Sequence, residues 1–229
     1  MTASRWLEMG DFLGKLGIGC FFTITATLKL MHIFATLRDW HVQEAENRVL
    51  ALMSDAASVI FLLLVAAVAV FRLKPLRTAA GIEPRVTALA GTFLLMFLAI
   101  LSPPQTPPFI ATIAGLCLTI LGSLLSAYVL SWLGRSFSIM AEARRLITGG
   151  PYGIVRHPLY VTEEIAVLGM VLLHWSPIAV VAAGVQLALQ LRRMHNEEKV
   201  LGAAFPEYAA YAERTPRFIP ALRSRRQPA

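Results

Sequence analysis

Apolar residues run in long blocks along this chain, and polar residues gather between the blocks. Six blocks, roughly 12–34, 52–71, 86–102, 109–133, 159–174 and 176–191, are long and oily enough to be read as helices that cross or nearly cross a membrane. The last two hold about 16 residues each. They are divided by His174-Trp175-Ser176-Pro177, so they predict a tight helical hairpin. Two amphipathic stretches lie outside the blocks. Residues 36–50 (TLRDWHVQEAENRVL) predict a short helix lying on the outer surface. Residues 139–148 predict an interfacial helix, ended by Gly149, Gly150 and Pro151.

Composition supports lipid as the solvent. The 229 residues are 56% hydrophobic and 15% charged, with a mean hydropathy of +0.62. Soluble domains carry about a quarter charged residues, and a globule of this size could not hide so much apolar surface. The net charge of +7 does not indicate nucleic acid, because the basic residues flank the oily blocks and form no single stripe. Their distribution gives an orientation instead. Arg72, Lys74, Arg77 and Arg85 follow the second block, Arg135, Arg144 and Arg145 the fourth, and Arg192, Arg193 and Lys199 the sixth. The opposite side holds Arg38, Arg48 and an uncharged Ser/Pro/Gln/Thr stretch at 102–108. Basic loops stay cytoplasmic, so both termini are expected on that side, in a bacterial inner membrane. Glu8 and Asp11 argue against reading the N-terminus as a cleaved signal.

Charges inside the blocks are few. Lys29 and Asp55 fall at similar depth near the outer face and are expected to pair. Glu163 and Glu164 open the fifth block and are expected to be solvated at the interface, with an acceptor tunnel as the alternative. Gly14, Gly17 and Gly19 or Cys20 predict a packing seam on the first helix. Cys20 and Cys117, each inside an apolar run, read as small buried side chains. The five histidines (32, 41, 157, 174 and 195) are too dispersed for a metal site, and none is expected.

The polar residues that stand out gather in the last third. In GGPYGIVRHPLY (149–160), Pro158 restrains His157 to an extended backbone and suits the first turn of the fifth helix. Arg156 and His157 are thereby delivered to a helix N-terminus at the membrane surface. That is either a carboxylate or phosphate site or an interfacial anchor. Glu197 and Glu198 follow the sixth block. Neighbours on a helix point about 100° apart, so at most one faces a pocket.

GPYGIVRHPLY, a helical hairpin, then EEKVLGAAFPEYAAYAERTPRFIP resembles the isoprenylcysteine carboxyl methyltransferase family and its bacterial membrane relatives. The match spans about residues 146–220. The resemblance implies S-adenosylmethionine as methyl donor, held at the cytoplasmic membrane face without a Rossmann domain. It places Tyr152, Arg156, His157, Pro158 and Tyr160 on the family's loop, and Glu197, Glu198 and Leu201 on its acidic helix, with Tyr208 beyond. Arg156 or the helix N-terminus would meet the methionyl carboxylate, and Glu197 or Glu198 the amino group or ribose hydroxyls. Tyr152, Tyr160 and Tyr208 would pack the adenine or shield the sulfonium. Arg156, His157 and Glu197 are the catalytic candidates. Any general base would be His157 or a glutamate. Two departures from the family pattern are Pro206, where a Gly is usual, and the acidic pair Glu163-Glu164, where the pattern stays apolar.

The expected fold is an all-α polytopic membrane bundle of about six transmembrane helices, with a C-terminal hairpin and a cytoplasmic cofactor pocket. Residues 1–133 form its transmembrane part and 134–229 its methyltransferase-like region. The expected substrate is a lipophilic or membrane-delivered small acceptor carrying a carboxylate, thiol or amine. A sterol-type reductase using NADPH is a second reading, but its Arg-, Cys- and Trp-rich C-terminal pattern matches poorly. A non-catalytic membrane protein or transporter, the third, leaves the ordered polar cluster unexplained.

Overall fold

The computed structural model describes residues 3–39, 47–101 and 106–220. Most of them are helical: α1 (Ala3–Arg38), α2 (Arg48–Val70), α3 (Glu83–Leu101), α4 (Phe109–Leu133), α5 (Pro158–His174), α6 (Pro177–Ala204) and α7 (Tyr208–Arg214). The fourth block needs no adjustment, because Pro108 precedes its first turn and Gly134, with φ 49°, ends it. Among the described residues, three helical stretches are long and apolar enough to cross a membrane: Gly14–Arg38, Arg48–Val70 and Phe109–Ser136. The expected count of six is therefore met by three on length and composition. At 17 residues α5 spans roughly 26 Å, short of a hydrocarbon core of about 30 Å. The sixth block does not stop at 191 either. RRMHNEEKVLGAA holds no proline and its one glycine, Gly202, falls only in the last turn, so α6 carries on through the acidic pair to Ala204.

Helix α4 runs along α5, α1 along α2, α2 on α4, and α3 on α6. The α4–α5 contact depends on missing side chains. A Cβ on Gly122 would sit 2.4 Å from the Ala166 backbone nitrogen, and one on Gly169 2.6 Å from the Gly115 carbonyl oxygen. The expected seam on α1 is realised at Gly19, whose Cβ would meet Val70, whereas Gly17 faces open space.

Residues 139–148 form no helix. A two-residue strand, β2 (Glu142–Ala143), pairs antiparallel with β1 (Arg77–Thr78). Flanking amides extend the pairing, from Leu76 to the Ala143 carbonyl at 2.8 Å and from Ala79 to the Ala141 carbonyl at 2.9 Å. Ile139, Ala141, Ala143 and Arg144 are buried there. Tertiary pairing thus overrides the amphipathic pattern. Arg77 also donates to the Ala203 carbonyl at 2.9 Å, so the segments after α2 and α4 meet the last turn of α6 at one end of the bundle. The cluster of Val65, Val68, Val129, Leu130, Phe137 and Leu159 is packed beneath this end.

The bundle's outside is apolar, with Leu28, Met31, Phe34, Ile110 and Val181 each more than 60% exposed, as lipid solvation requires. Cys20 and Cys117 lie on this exposed surface and not in the interior. Lys29 pairs with Asp55 at 2.6 Å, and Asp55 also meets His32 Nδ1 at 3.0 Å. Of the surface helix expected over 36–50, residues 36–38 instead close α1 and 48–50 open α2, while 40–46 lie outside the described residues.

Candidate functional site

The loop before α5 owes its shape to Gly150. Its φ of 58° is left-handed, and a Cβ there would lie 2.6 Å from the Trp132 ring. A 3-10 turn over Gly150–Gly153 then buries Tyr152. Its carbonyl accepts from the Tyr211 hydroxyl of α7 at 2.7 Å. Next the loop meets the chain after α7. The Arg156 amide donates to the Pro216 carbonyl at 2.8 Å and the His157 amide to that of Arg217 at 3.2 Å. Pro158 opens α5 with His157 at its N-cap position, so both side chains sit at a helix start.

Helix α6 brings its acidic pair to the same place. Glu198 Oε1 lies 3.0 Å from His157 Nε2 and 3.2 Å from Arg156 Nη1. Arg217 donates through Nε to Oε1 at 3.1 Å and through Nη2 to Oε2. Burial alone would raise the Glu198 carboxyl. The hydrogen bonds from His157 and Arg217, with the nearby positive charges, outweigh it and hold the group at about 2. Glu197 points elsewhere and accepts the Tyr160 hydroxyl. Burial also pushes the Tyr152 phenol up, and Tyr211 to about 12, so both stay protonated.

A cavity of about 690 Å³ opens beside these groups and continues between the helices. That lies within the range of roughly 300–1,000 Å³ typical of small-molecule sites. Tyr152, Arg156, His157, Tyr160, Glu197, Leu201 and Tyr208 all line it, whereas Pro158 and Glu198 do not. The wall extends as far as Lys29 and Asp55 and draws on both 1–133 and 134–229. Arg193 is buried with its guanidinium 5.2 Å from the Tyr160 ring centroid. It donates to Gln190 Oε1 at 3.0 Å and to the Ile139 carbonyl at 3.2 Å.

Glu163 departs from expectation. It lies three residues beyond Tyr160 on the same face of α5, so it lines the cavity instead of meeting solvent, and accepts from Gln190 Nε2 at 3.0 Å. Sequence reasoning also passed over Arg217, Gln190 and Arg193. A signal for two of them was present: positions 186, 190, 193 and 197 repeat at helical spacing and place Gln, Gln, Arg and Glu on one face.

Comparison with known proteins points the same way. Residues 110–207 match the family model described as phospholipid methyltransferase. Protein-S-isoprenylcysteine O-methyltransferase B of Arabidopsis thaliana is 34% identical over 113 residues, 46% of this chain and 57% of that protein. Cobalt-zinc-cadmium resistance protein CzcN of Cupriavidus metallidurans is 44% identical over 82 residues, 34% of this chain and 36% of the relative. Nickel-cobalt-cadmium resistance protein NccN of Alcaligenes xylosoxydans xylosoxydans is 34% identical over 82 residues, 35% and 38% respectively. The chain thus spans between about a third and somewhat over half the length of these curated relatives. The resemblance read from GPYGIVRHPLY and EEKVLGAAFPEYAAY is borne out.

Proposed function

We propose that this chain is an integral-membrane methyltransferase that uses S-adenosylmethionine to methylate a lipophilic small acceptor. One observation carries the reading. Arg156, His157 and Tyr160 at the start of α5 and Glu197 on α6, 37 residues beyond Tyr160, converge at one end of a cavity whose remainder is mostly apolar. A polar donor and an oily acceptor would meet there without crossing water.

The residues present fit such a donor. The Tyr208 hydroxyl and Arg156 Nε are buried neighbours without a hydrogen bond of good geometry, so a bound polar group would satisfy them. Arg156 and the first-turn amides of α5 suit a carboxylate. Glu197 suits an ammonium or ribose hydroxyls, and Tyr160 orients it. Tyr152, Tyr208 and Leu201 offer apolar and aromatic surface for adenine. When bound, S-adenosylmethionine supplies an electrophilic methyl carbon on a sulfonium. The chain's own task is alignment and exclusion of water, and its buried tyrosines and apolar walls serve it. Glu198 acts behind the cavity by holding Arg156 and His157 in place.

The same reading counts α3, α5 and α6 as further spans, with α5 and the first half of α6 as a hairpin. It puts both termini on the cytoplasmic side of a bacterial inner membrane, because the basic segments after α2 and α4 share one end of the bundle with the end of α6. Residues 134–229 supply the catalytic loop and acidic helix, and residues 1–133 complete the cavity wall.

Saturable binding of radiolabelled S-adenosylmethionine to detergent-purified protein tests the proposal. S-adenosylhomocysteine should compete and NADPH should not. Arg156→Ala and Glu197→Ala should each abolish binding while the protein stays folded. Absence of saturable binding, or competition by NADPH alone, overturns it.

A further inference from the structure

Beyond the Glu197 end, the cavity enters a section walled by Leu116, Val167, Met170 and Leu173. Polar groups interrupt that oily wall. Glu163 Oε2 accepts from Gln190, while its other oxygen has no hydrogen-bond partner among the described residues. Gln186 stands one helical turn further along α6. It is 4% exposed, lines the cavity, and its buried Oε1 has no hydrogen-bond partner among the described residues. With a rise of 1.5 Å per residue, Gln190 and the Glu163 beside it lie roughly 10 Å from the level of Glu197. These groups are therefore set apart from the proposed donor end.

A buried amide oxygen left without a partner destabilises the fold, and a bound hydrogen-bond donor would remove that cost. Charge points to the same kind of ligand. Glu163 and Glu197 together outnumber Arg193, the cation beside them, whose guanidinium is committed to Gln190 and the Ile139 carbonyl. A carboxylate placed here would meet like charge in a low dielectric.

We propose that Glu163 and Gln186 form the acceptor subsite, and that it takes the hydrogen-bond-donating head of a lipophilic molecule, a primary amine or an alcohol, in preference to a carboxylate. Calling the ligand an acceptor rests on the methyltransferase reading; the binding preference does not.

Hexylamine, hexanol and hexanoate serve as probes with the full chain in detergent, read by protection against thermal unfolding. Hexylamine and hexanol should protect at concentrations at least tenfold below hexanoate. Glu163→Gln should remove most of the hexylamine preference, and Gln186→Leu should weaken both hexylamine and hexanol. Both variants should bind S-adenosylhomocysteine like the parent, which also shows that they are folded. Equal protection by hexanoate, or unchanged hexylamine protection in both variants, overturns the subsite. If a variant does not fold, labelling of wild-type Glu163 by dicyclohexylcarbodiimide decides, read by mass spectrometry. Hexylamine should slow it and hexanoate should not, and the reverse overturns the proposal. Failure of S-adenosylhomocysteine to bind the parent would end the methyltransferase reading, while the probe comparison would still decide the subsite.

Discussion

His157 Nε2 lies 3.0 Å from Glu198 Oε1, and this contact joins the start of α5 to the acidic turn of α6 across 41 residues of sequence. Arg156 and Arg217 converge on the same carboxylate, so one side chain fixes the loop, the helix and the segment after α7 together.

Replacing Glu198 by Ala therefore leaves two arginines and a histidine without their shared partner. The cost expected is roughly 1–3 kcal/mol, below the full value for a buried pair because Arg217 is half exposed. Thermal unfolding in detergent reads it. Limited proteolysis should cut after Arg214 or Arg217 faster than in the parent.

The same carboxylate sets an acid limit. Its pKa is depressed from the usual 4.5 to about 2 in the folded chain, so its stabilisation is fully present above 4.5. It is lost as pH falls from there through 2. Unfolding midpoints measured from pH 6 to pH 3 should drop more steeply in the parent than in Glu198→Gln. Parallel curves would show that the clamp contributes nothing.

Gly122→Ala tests the close approach of α4 to α5. Its Cβ would lie 2.4 Å from backbone, not from a mobile side-chain end, so the helices must separate. Overpacking of this kind costs about 1–3 kcal/mol, or a fall of roughly 2–12 °C in unfolding midpoint for a chain of this size. Gly17→Ala, which faces open space, should change the midpoint little.

Tyr160→Phe removes the hydroxyl that Glu197 accepts and leaves the ring under Arg193. Glu197 then loses its orientation but keeps its charge. S-adenosylmethionine binding should weaken about tenfold, equivalent to one hydrogen bond to a charged group, with little change in stability. Equilibrium binding with labelled ligand, beside an unfolding curve, separates the two effects.

Much of this was legible in the sequence, and the limits have physical causes. Helix α4 is a continuous apolar run bounded by Pro108 and Gly134, so period and punctuation agree. The loop at Arg156 and His157 was marked by Gly150, Pro151 and Pro158. Residues 139–148 misled because their mix of apolar and charged positions suits an amphipathic helix at an interface. Only the distant amides of Leu76 and Ala79 reveal that the backbone is paired instead. Glu163 misled for a related reason: a carboxylate near a helix start is usually solvated, and its burial depends on Gln190 across the cavity. Arg217 lies in a stretch whose partner, Glu198, is known only once the chain has folded back.

Arg193 separates charge from geometry at the centre of the cavity. It is buried, forks between Gln190 and the Ile139 carbonyl, and lies over the Tyr160 ring. A lysine keeps the charge but cannot supply the same planar fork, so Arg193→Lys should cost about 1–3 kcal/mol. Arg193→Met loses both and leaves Glu163 and Glu197 without their nearest cation, for which roughly 3–5 kcal/mol is expected. If uncompensated charge is the cause, Glu163→Gln should recover part of that loss in the Met background. In the parent it should stabilise less, because Arg193 is there to offset the carboxylate. A double-mutant cycle on unfolding free energies measures the difference. Additive effects would show that Arg193 acts on the segment at Ile139 and not on the carboxylates.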